Sequence, residues 1–156
     1  MKMSTNGLDK LELWEGSERK AYRDVAGLLT IGVGHLLTQD ELHSGKIHLG
    51  AETIDYRRGL TKQQIKDLLA QDLKKFEKAV NENVKVPLNQ NQFDTLVSFS
   101  FNVGPVAFKN STLLKVLNKK QYDEIPKQLR RWVYAGGNKV RGLQIRRENE
   151  IKLWKS

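Results

Sequence analysis

The chain has no cysteine. It therefore has no disulfide framework, no thiolate nucleophile and no Cys-based metal site, and its composition suits a reducing cytosol. No apolar run approaches the roughly 18–20 residues that a helix needs to span a bilayer. The N-terminal stretch 1–16 lacks the apolar core of about 7–15 residues that marks a secretory signal. Histidine is scarce, and His35, His43 and His48 show no metal-ligand spacing. Gly32-Val33-Gly34 has no third glycine, so it is not a dinucleotide fingerprint. A phosphate-loop signature and a Gly-x-Ser-x-Gly elbow are also missing. Neither a cofactor nor a metal is expected.

What is present is an ordinary globular composition. A length of 156 residues, 38% hydrophobic and 29% charged, predicts one domain with a buried core. Lys and Arg number 27 against 18 Asp and Glu, a net charge of +9. The excess gathers late. From Lys127 to Ser156 nine basic residues face only Glu148 and Glu150. Such a patch attracts polyanions, nucleic acid or an anionic envelope alike, or it is simply a solvated face.

The periodicity outlines the elements. Asn6 is a good N-cap, Leu8, Leu11 and Trp14 follow at helical spacing, and Gly16 is a stop, so a short helix is predicted over 7–15. Residues 21–37 turn around Asp24-Val25-Ala26-Gly27 and are then rich in Gly and β-branched residues, which reads as a hairpin or small sheet. Polar residues 39–59 predict loop with a little strand or short helix. Thr61 and Gln64 make a capping box, and Ile65, Leu68, Leu69, Leu73, Phe76 and Val80 form one stripe, predicting a single helix over 61–82. Pro87 breaks the chain. Further helices are expected from Asn89 to Gly104, over 111–117, 122–134 and 143–154. The class is α+β: a two-lobed arrangement in one domain spanning 1–156. The β lobe takes about 16–60, the connecting helix 61–82, and the helical lobe 1–15 and 83–156, with a cleft between the lobes.

Two carboxylates flank the predicted hairpin. Glu15 closes a helix, where the negative end of the dipole disfavours its ionised form, and burial beside Trp14 would disfavour it further. A glycosidase acid needs that environment. Asp24 sits in a turn, where Asp also serves simply to bond the local backbone. The pair supplies what glycoside hydrolysis requires, one group to protonate the leaving oxygen and one to activate water or attack. Thr30 offers a hydroxyl that could orient water. Gly27, Gly32 and Gly34 either let a ligand approach the backbone or permit tight turns. Trp14, Trp132 and Trp154 stand at helical core positions.

These residues form a wider pattern. Glu15-Gly16, Tyr22-x-Asp24, Gly27 and Thr30-Ile-Gly-Val-Gly-His35-Leu36-Leu37-Thr38 resemble the phage-type lysozymes, glycoside hydrolase family 24. Pro87 to Asp94, Phe99-Ser-Phe101-Asn102-Val-Gly104, Phe108-Lys-Asn-Ser111-Thr, Arg131-Trp132, Gly142-Leu143 and Arg146-Arg147-x-Glu continue the resemblance along nearly the whole chain. It implies hydrolysis of the β-1,4 bond between N-acetylmuramic acid and N-acetylglucosamine in peptidoglycan, with inversion. Glu15 would be the general acid, Asp24 would activate or hold the water, and Thr30 would place it. His35 would brace the site on its substrate-binding side, and Leu36, Phe101 and Ser111 would line the saccharide cleft. One of Arg141, Arg146 or Arg147 would pair with Glu15. Ala26 departs from the acidic residue of the T-even type, and Gln39 to Gly59 has no clear counterpart.

The resemblance also implies a monomer that collects in the host cytoplasm and depends on a holin to reach the wall. Some members of the family carry an N-terminal export anchor. The residues here show none and no nucleic-acid motif, so no membrane anchor and no specific nucleic-acid partner are expected. The basic C-terminal region is expected as the wall-adhering surface, and any inhibitor protein is left open. Two other readings compete with hydrolysis. A lytic transglycosylase would cut the same bond without water, and a non-catalytic cationic binder would use only the charge.

Overall fold

A computed structural model describes residues 1–156. The chain divides into two compact units, one formed by Leu8–Leu73 and the other by Met1–Gly7 with Lys74–Ser156.

Helix α1 (Thr5–Glu15) enters the first unit at Leu8 and leads into a three-stranded antiparallel sheet, β1 (Glu18–Arg23), β2 (Leu29–Gly32) and β3 (His35–Leu36), in that order. Tyr22 lies opposite Thr30, and Thr30 opposite Leu36. The polar stretch 39–59 that shows little pattern is well structured. It holds α2 (Gln39–Ser44), capped by a Thr38–Glu41 box, and the hairpin of β4 (Lys46–Leu49) and β5 (Glu52–Asp55). Helix α3 (Lys62–Asp72) starts at the predicted Thr61–Gln64 capping box. Leu11, Ile31, Ile47, Leu60, Leu68, Leu69 and Leu73 are buried in its core.

The predicted helix over 61–82 is instead two, α3 and α4 (Lys74–Asn83), separated at Leu73. Leu73 is itself fully buried, so the apolar stripe runs through the break without a gap and the sequence carries no Gly or Pro to mark it. The stripe also serves two cores: Ile65 to Leu73 belong to one unit, Phe76 and Val80 to the other.

The second unit is built on α5 (Gln90–Val103), which begins at the expected Asn89 cap and is buried from Phe93 to Ser100. Around it lie α6 (Pro105–Lys109), α7 (Thr112–Asn118), α8 (Ile125–Leu129) and α9 (Arg141–Lys155). The N-terminal residues are strapped to this unit. Asp94, fully buried, accepts from the Ser4 amide (3.1 Å), the Gln90 side chain (2.8 Å) and the Ser4 hydroxyl. The Met3 amide donates to Glu77 at 2.6 Å, and Asn81 bonds both the Met1 ammonium and the Met1 carbonyl. The Ser4 hydroxyl also accepts from the Gly7 amide at 3.0 Å. It therefore does the capping expected of Asn6, which lies inside α1.

The expected helix over 122–134 is shorter. Tyr122–Glu124 is a 3-10 turn, α8 follows with Pro126 in its first turn, and the chain then forms a hairpin, β6 (Tyr134–Ala135) and β7 (Asn138–Lys139). Gly136 and Gly137 have φ of 59° and 82°, the left-handed pair that a two-residue hairpin turn requires. The two glycines form a β-turn inside a stretch where no strand is expected.

Candidate active site

The β1–β2 connection holds Asp24 in a defined pose. The Asp24 amide donates to the Leu28 carbonyl and the Gly27 amide to the Asp24 carbonyl, both at 2.9 Å. Gly27 takes φ +80°, which an L side chain resists. The Asp24 side chain completes the turn: Oδ1 accepts from the amides of Ala26 and Leu28, each at 2.9 Å. Arg23 closes the loop from the other side by donating to the Gly27 carbonyl at 2.8 Å. Both bonds to the carboxylate go to one oxygen, so Oδ2 is left without a partner in the protein. Asp24 is half-buried at this position. Its turn-forming role and a chemical role are therefore compatible, one for each oxygen.

Thr30 follows on β2, 2% exposed, with Oγ1 donating to the Leu28 carbonyl at 3.0 Å. The proton is thereby directed at the backbone, and the oxygen lone pairs stay available to a donor such as water. Leu36, cross-strand from Thr30, is 51% exposed, an apolar side chain at the edge of the sheet. Gly32 and Gly34 both have positive φ and turn the chain from β2 to β3.

Glu15 is the last residue of α1, in the same unit as Asp24 and Thr30, and Gly16 ends the helix by donating to the Glu12 carbonyl at 2.8 Å. The burial predicted beside Trp14 is not found. Glu15 is exposed and Trp14 half-buried, because the turn at Gly16 leaves the carboxylate at the helix end rather than on the apolar face.

His35 is engaged on both ring nitrogens. Nδ1 faces Asp72 Oδ2 at 2.8 Å and Nε2 faces Glu41 Oε1 at 2.9 Å, tying β3 to α3 and α2. Burial alone would lower its pKa. The hydrogen bonds and charges of Asp72 and then Glu41 outweigh that and raise it from 6.5 to about 9. At neutral pH the ring is an imidazolium clamped between two carboxylates, and neither N–H is offered to a ligand.

Phe101 and Ser111 belong to the other unit. Phe101 is half-buried and meets Phe76 edge to face, ring centres 5.3 Å apart. Ser111 caps α7: its hydroxyl accepts from the Leu114 amide at 3.1 Å and donates to the Phe108 carbonyl at 2.7 Å.

The sequence reading missed a buried charged cluster. Arg146, Arg147 and Glu150 on α9 are 7%, 0% and 0% exposed, so they leave the basic surface to which composition assigned them. Glu150 accepts from Arg146 Nε at 3.3 Å, from Ser98 Oγ at 2.7 Å and from Arg147. Arg146 also donates to the Ser98 carbonyl at 3.0 Å, and Arg147 to the Trp132 carbonyl at 3.0 Å and to Asn102. The Arg147 guanidinium stacks over Phe99, 5.1 Å from the ring centre. Burial pulls the Arg146 pKa down, with Glu150 opposing and Arg147 adding to the effect. A signal was there: Leu143, Arg146, Arg147, Glu150, Ile151 and Trp154 fall on one helical stripe, so three charges stand where core residues belong.

Comparison with known proteins decides the family. The phage lysozyme family model matches residues 12–150. The chain belongs to the phage lysozyme family. It is 39% identical over 136 residues to the endolysin of Salmonella phage P22, covering 87% of this chain and 86% of that one. To the SAR-endolysin of Escherichia phage Mu it is 40% identical over 133 residues, covering 85% and 69%. A crystal structure of a P22 lysozyme variant superposes with a TM-score of 0.83 at 37% identity, covering 100% of this chain and 99% of that one. Membership makes the protein a lysozyme, a glycoside hydrolase of the muramidase kind, with an α+β fold shared with phage endolysins and a role in lysis of the host wall. No helix is long and apolar enough to cross a membrane.

Proposed function

We propose that the chain hydrolyses the β-1,4 bond between N-acetylmuramic acid and N-acetylglucosamine in peptidoglycan, with inversion at the anomeric carbon. Glu15 donates its proton to the glycosidic oxygen as the C–O bond breaks. Water adds to the opposite face of the sugar, and Asp24 takes its proton. Thr30 accepts a hydrogen bond from that water and fixes its approach. Inversion needs space for the water, roughly 6.5–9.5 Å between the two carboxyl groups. The observation that carries this reading is the division of labour at Asp24, where Oδ1 is occupied by two loop amides and Oδ2 is open.

Leu36 and Phe101 supply apolar walls for the glycan. His35, with both nitrogens engaged, acts by holding β3 in place, and Ser111 by fixing the start of α7. The enzyme works as a monomer, collects in the host cytoplasm and reaches the wall after a holin opens the inner membrane.

The test is loss of turbidity in outer-membrane-permeabilised Gram-negative cells, wild type against Glu15→Gln. The wild type should clear the suspension and the variant should fall by at least about a thousandfold, the scale lost with a catalytic proton donor. Equal clearing by both would remove Glu15 from the mechanism. Mass spectrometry of the released muropeptides should show reducing ends; anhydro ends would mean a transglycosylase.

A further inference from the structure

Strand β1 is exposed along its whole length, and it is basic: Arg19, Lys20 and Arg23 stand against Glu18. Its surroundings do not share that charge. The unit Leu8–Leu73 holds nine Lys and Arg against eleven Asp and Glu, so the cationic excess of the chain belongs to the other unit. Even with acids to spare, the unit leaves part of its positive charge unpaired. Lys66 meets Asp9 at 2.6 Å, and Arg57 takes both oxygens of Asp55, at 3.0 and 3.1 Å. Arg19, Lys20 and Arg58 have no carboxylate partner.

Arg19 and Lys20 converge on Gly59, the residue after Arg58. A Cβ at Gly59 would lie 3.6 Å from Arg19 Nη2 and 3.5 Å from Lys20 Cγ. The backbone holds this approach: the Leu60 amide donates to the Arg19 carbonyl at 2.8 Å, and Arg19 Nε donates to the Leu60 carbonyl at 3.0 Å. The second bond orients the guanidinium and leaves its two terminal amino groups unbonded, a preset fork for a phosphate. Three exposed cations therefore crowd one glycine with nothing to neutralise them, and they repel one another until an anion arrives.

At the other end of β1, about 20 Å away for six residues at 3.3 Å each, the surface changes character. Arg23 leads into the turn that carries Val25, fully exposed, and Leu28, 53% exposed. A nucleic acid has no use for an aliphatic tip, and the notch offers no ring for a base to stack on, since Tyr56 is buried. A bilayer with acidic headgroups meets both features, with phosphates for the cations and an interfacial zone for the apolar tip. We propose that β1 and its turn make a peripheral contact with an anionic phospholipid surface. Headgroup phosphate occupies the notch of Arg19, Lys20 and Arg58, and Val25 enters the interface. The contact does not depend on the hydrolytic reading.

The test sediments the full-length protein with vesicles of phosphatidylcholine and phosphatidylglycerol, against vesicles of phosphatidylcholine alone. Lys20→Ala/Arg58→Ala should weaken binding to the anionic vesicles by about tenfold or more, the scale set by two cations at a charged surface. Lys115→Ala/Lys119→Ala, with the same net charge but in the other unit, should leave it nearly unchanged. All four positions are exposed, so Tm should hold in both variants. Because the chain has no cysteine, Val25→Cys takes a single polarity-sensitive dye, which should shift to the blue on binding. The same dye at Val106→Cys, an exposed site in the other unit, should not shift. Equal weakening in both alanine pairs, equal dye shifts at both sites, or no binding beyond that to phosphatidylcholine overturns the proposal. Release by inorganic phosphate at constant ionic strength, without any dye shift at Val25→Cys, would make the notch a site for free phosphate and overturn the lipid contact. Tighter binding of a DNA oligonucleotide, lost in Lys20→Ala/Arg58→Ala, would overturn it too.

Discussion

Asp24 holds its own turn through one carboxylate oxygen and leaves the other open, whereas His35 is tied to two carboxylates from other elements. In Asp24→Asn the amide oxygen can still accept from Ala26 and Leu28, so the turn should survive while the charge is lost. We expect kcat to fall at least about a hundredfold with Tm unchanged within a degree or two; a matching collapse of Tm would reduce Asp24 to a turn residue. His35 binds its proton more tightly in the folded chain, with a pKa of about 9 against 6.5. Folding therefore takes up a proton between those values. The stabilisation is whole below pH 6.5 and is lost as the pH rises through 9. Thermal melting of the wild type should decline across that interval, and His35→Asn should start lower and show a flatter profile. A parallel decline in both would assign the pH dependence to other groups.

At the level of elements, α9 and α7 make opposite demands. Glu150→Gln would leave Arg146 and Arg147 without their shared carboxylate inside the protein. A loss of about 3–5 kcal/mol in urea unfolding is expected, as for a broken buried pair. Ser111→Ala removes only a cap, about 1 kcal/mol, and a rise in KM beyond that effect would show direct contact with the glycan. The ease of reading these elements from sequence differs for the same reason. The Asn89 cap and the Thr61–Gln64 box are local interactions between near neighbours, and both stand where the residue types predicted them. The break at Leu73 depends on two cores sharing one stripe, and the burial of Arg146 depends on Ser98, 48 residues away. Local spacing holds neither fact. The same limit applies at the site, where Glu15, Asp24 and Thr30 are readable as a spaced pattern but the exposure of Glu15 and the double clamp on His35 are not.

For the whole molecule, charge is the leading property. The net +9 lies mostly at the surface, yet the Lys127–Ser156 stretch presents fewer cations than its composition suggests, since Arg146 and Arg147 are buried and Arg130 is paired. Clearing of permeabilised cells should slow several-fold between about 25 and 300 mM salt, because the Debye length shrinks from roughly 20 Å to 6 Å and long-range attraction to an anionic wall is screened. A rate indifferent to salt would separate lysis from the cationic surface.

The strap of residues 1–7 has a consequence for synthesis. Ser4 needs Asp94, Met3 needs Glu77 and Met1 needs Asn81, so these residues wait for partners made 74 to 90 residues later. Leu8–Leu73 has all its own contacts in hand much earlier. The nascent chain can thus finish one unit while the other still lacks α9, and residues 1–7 stay uncommitted until α4 and α5 are made.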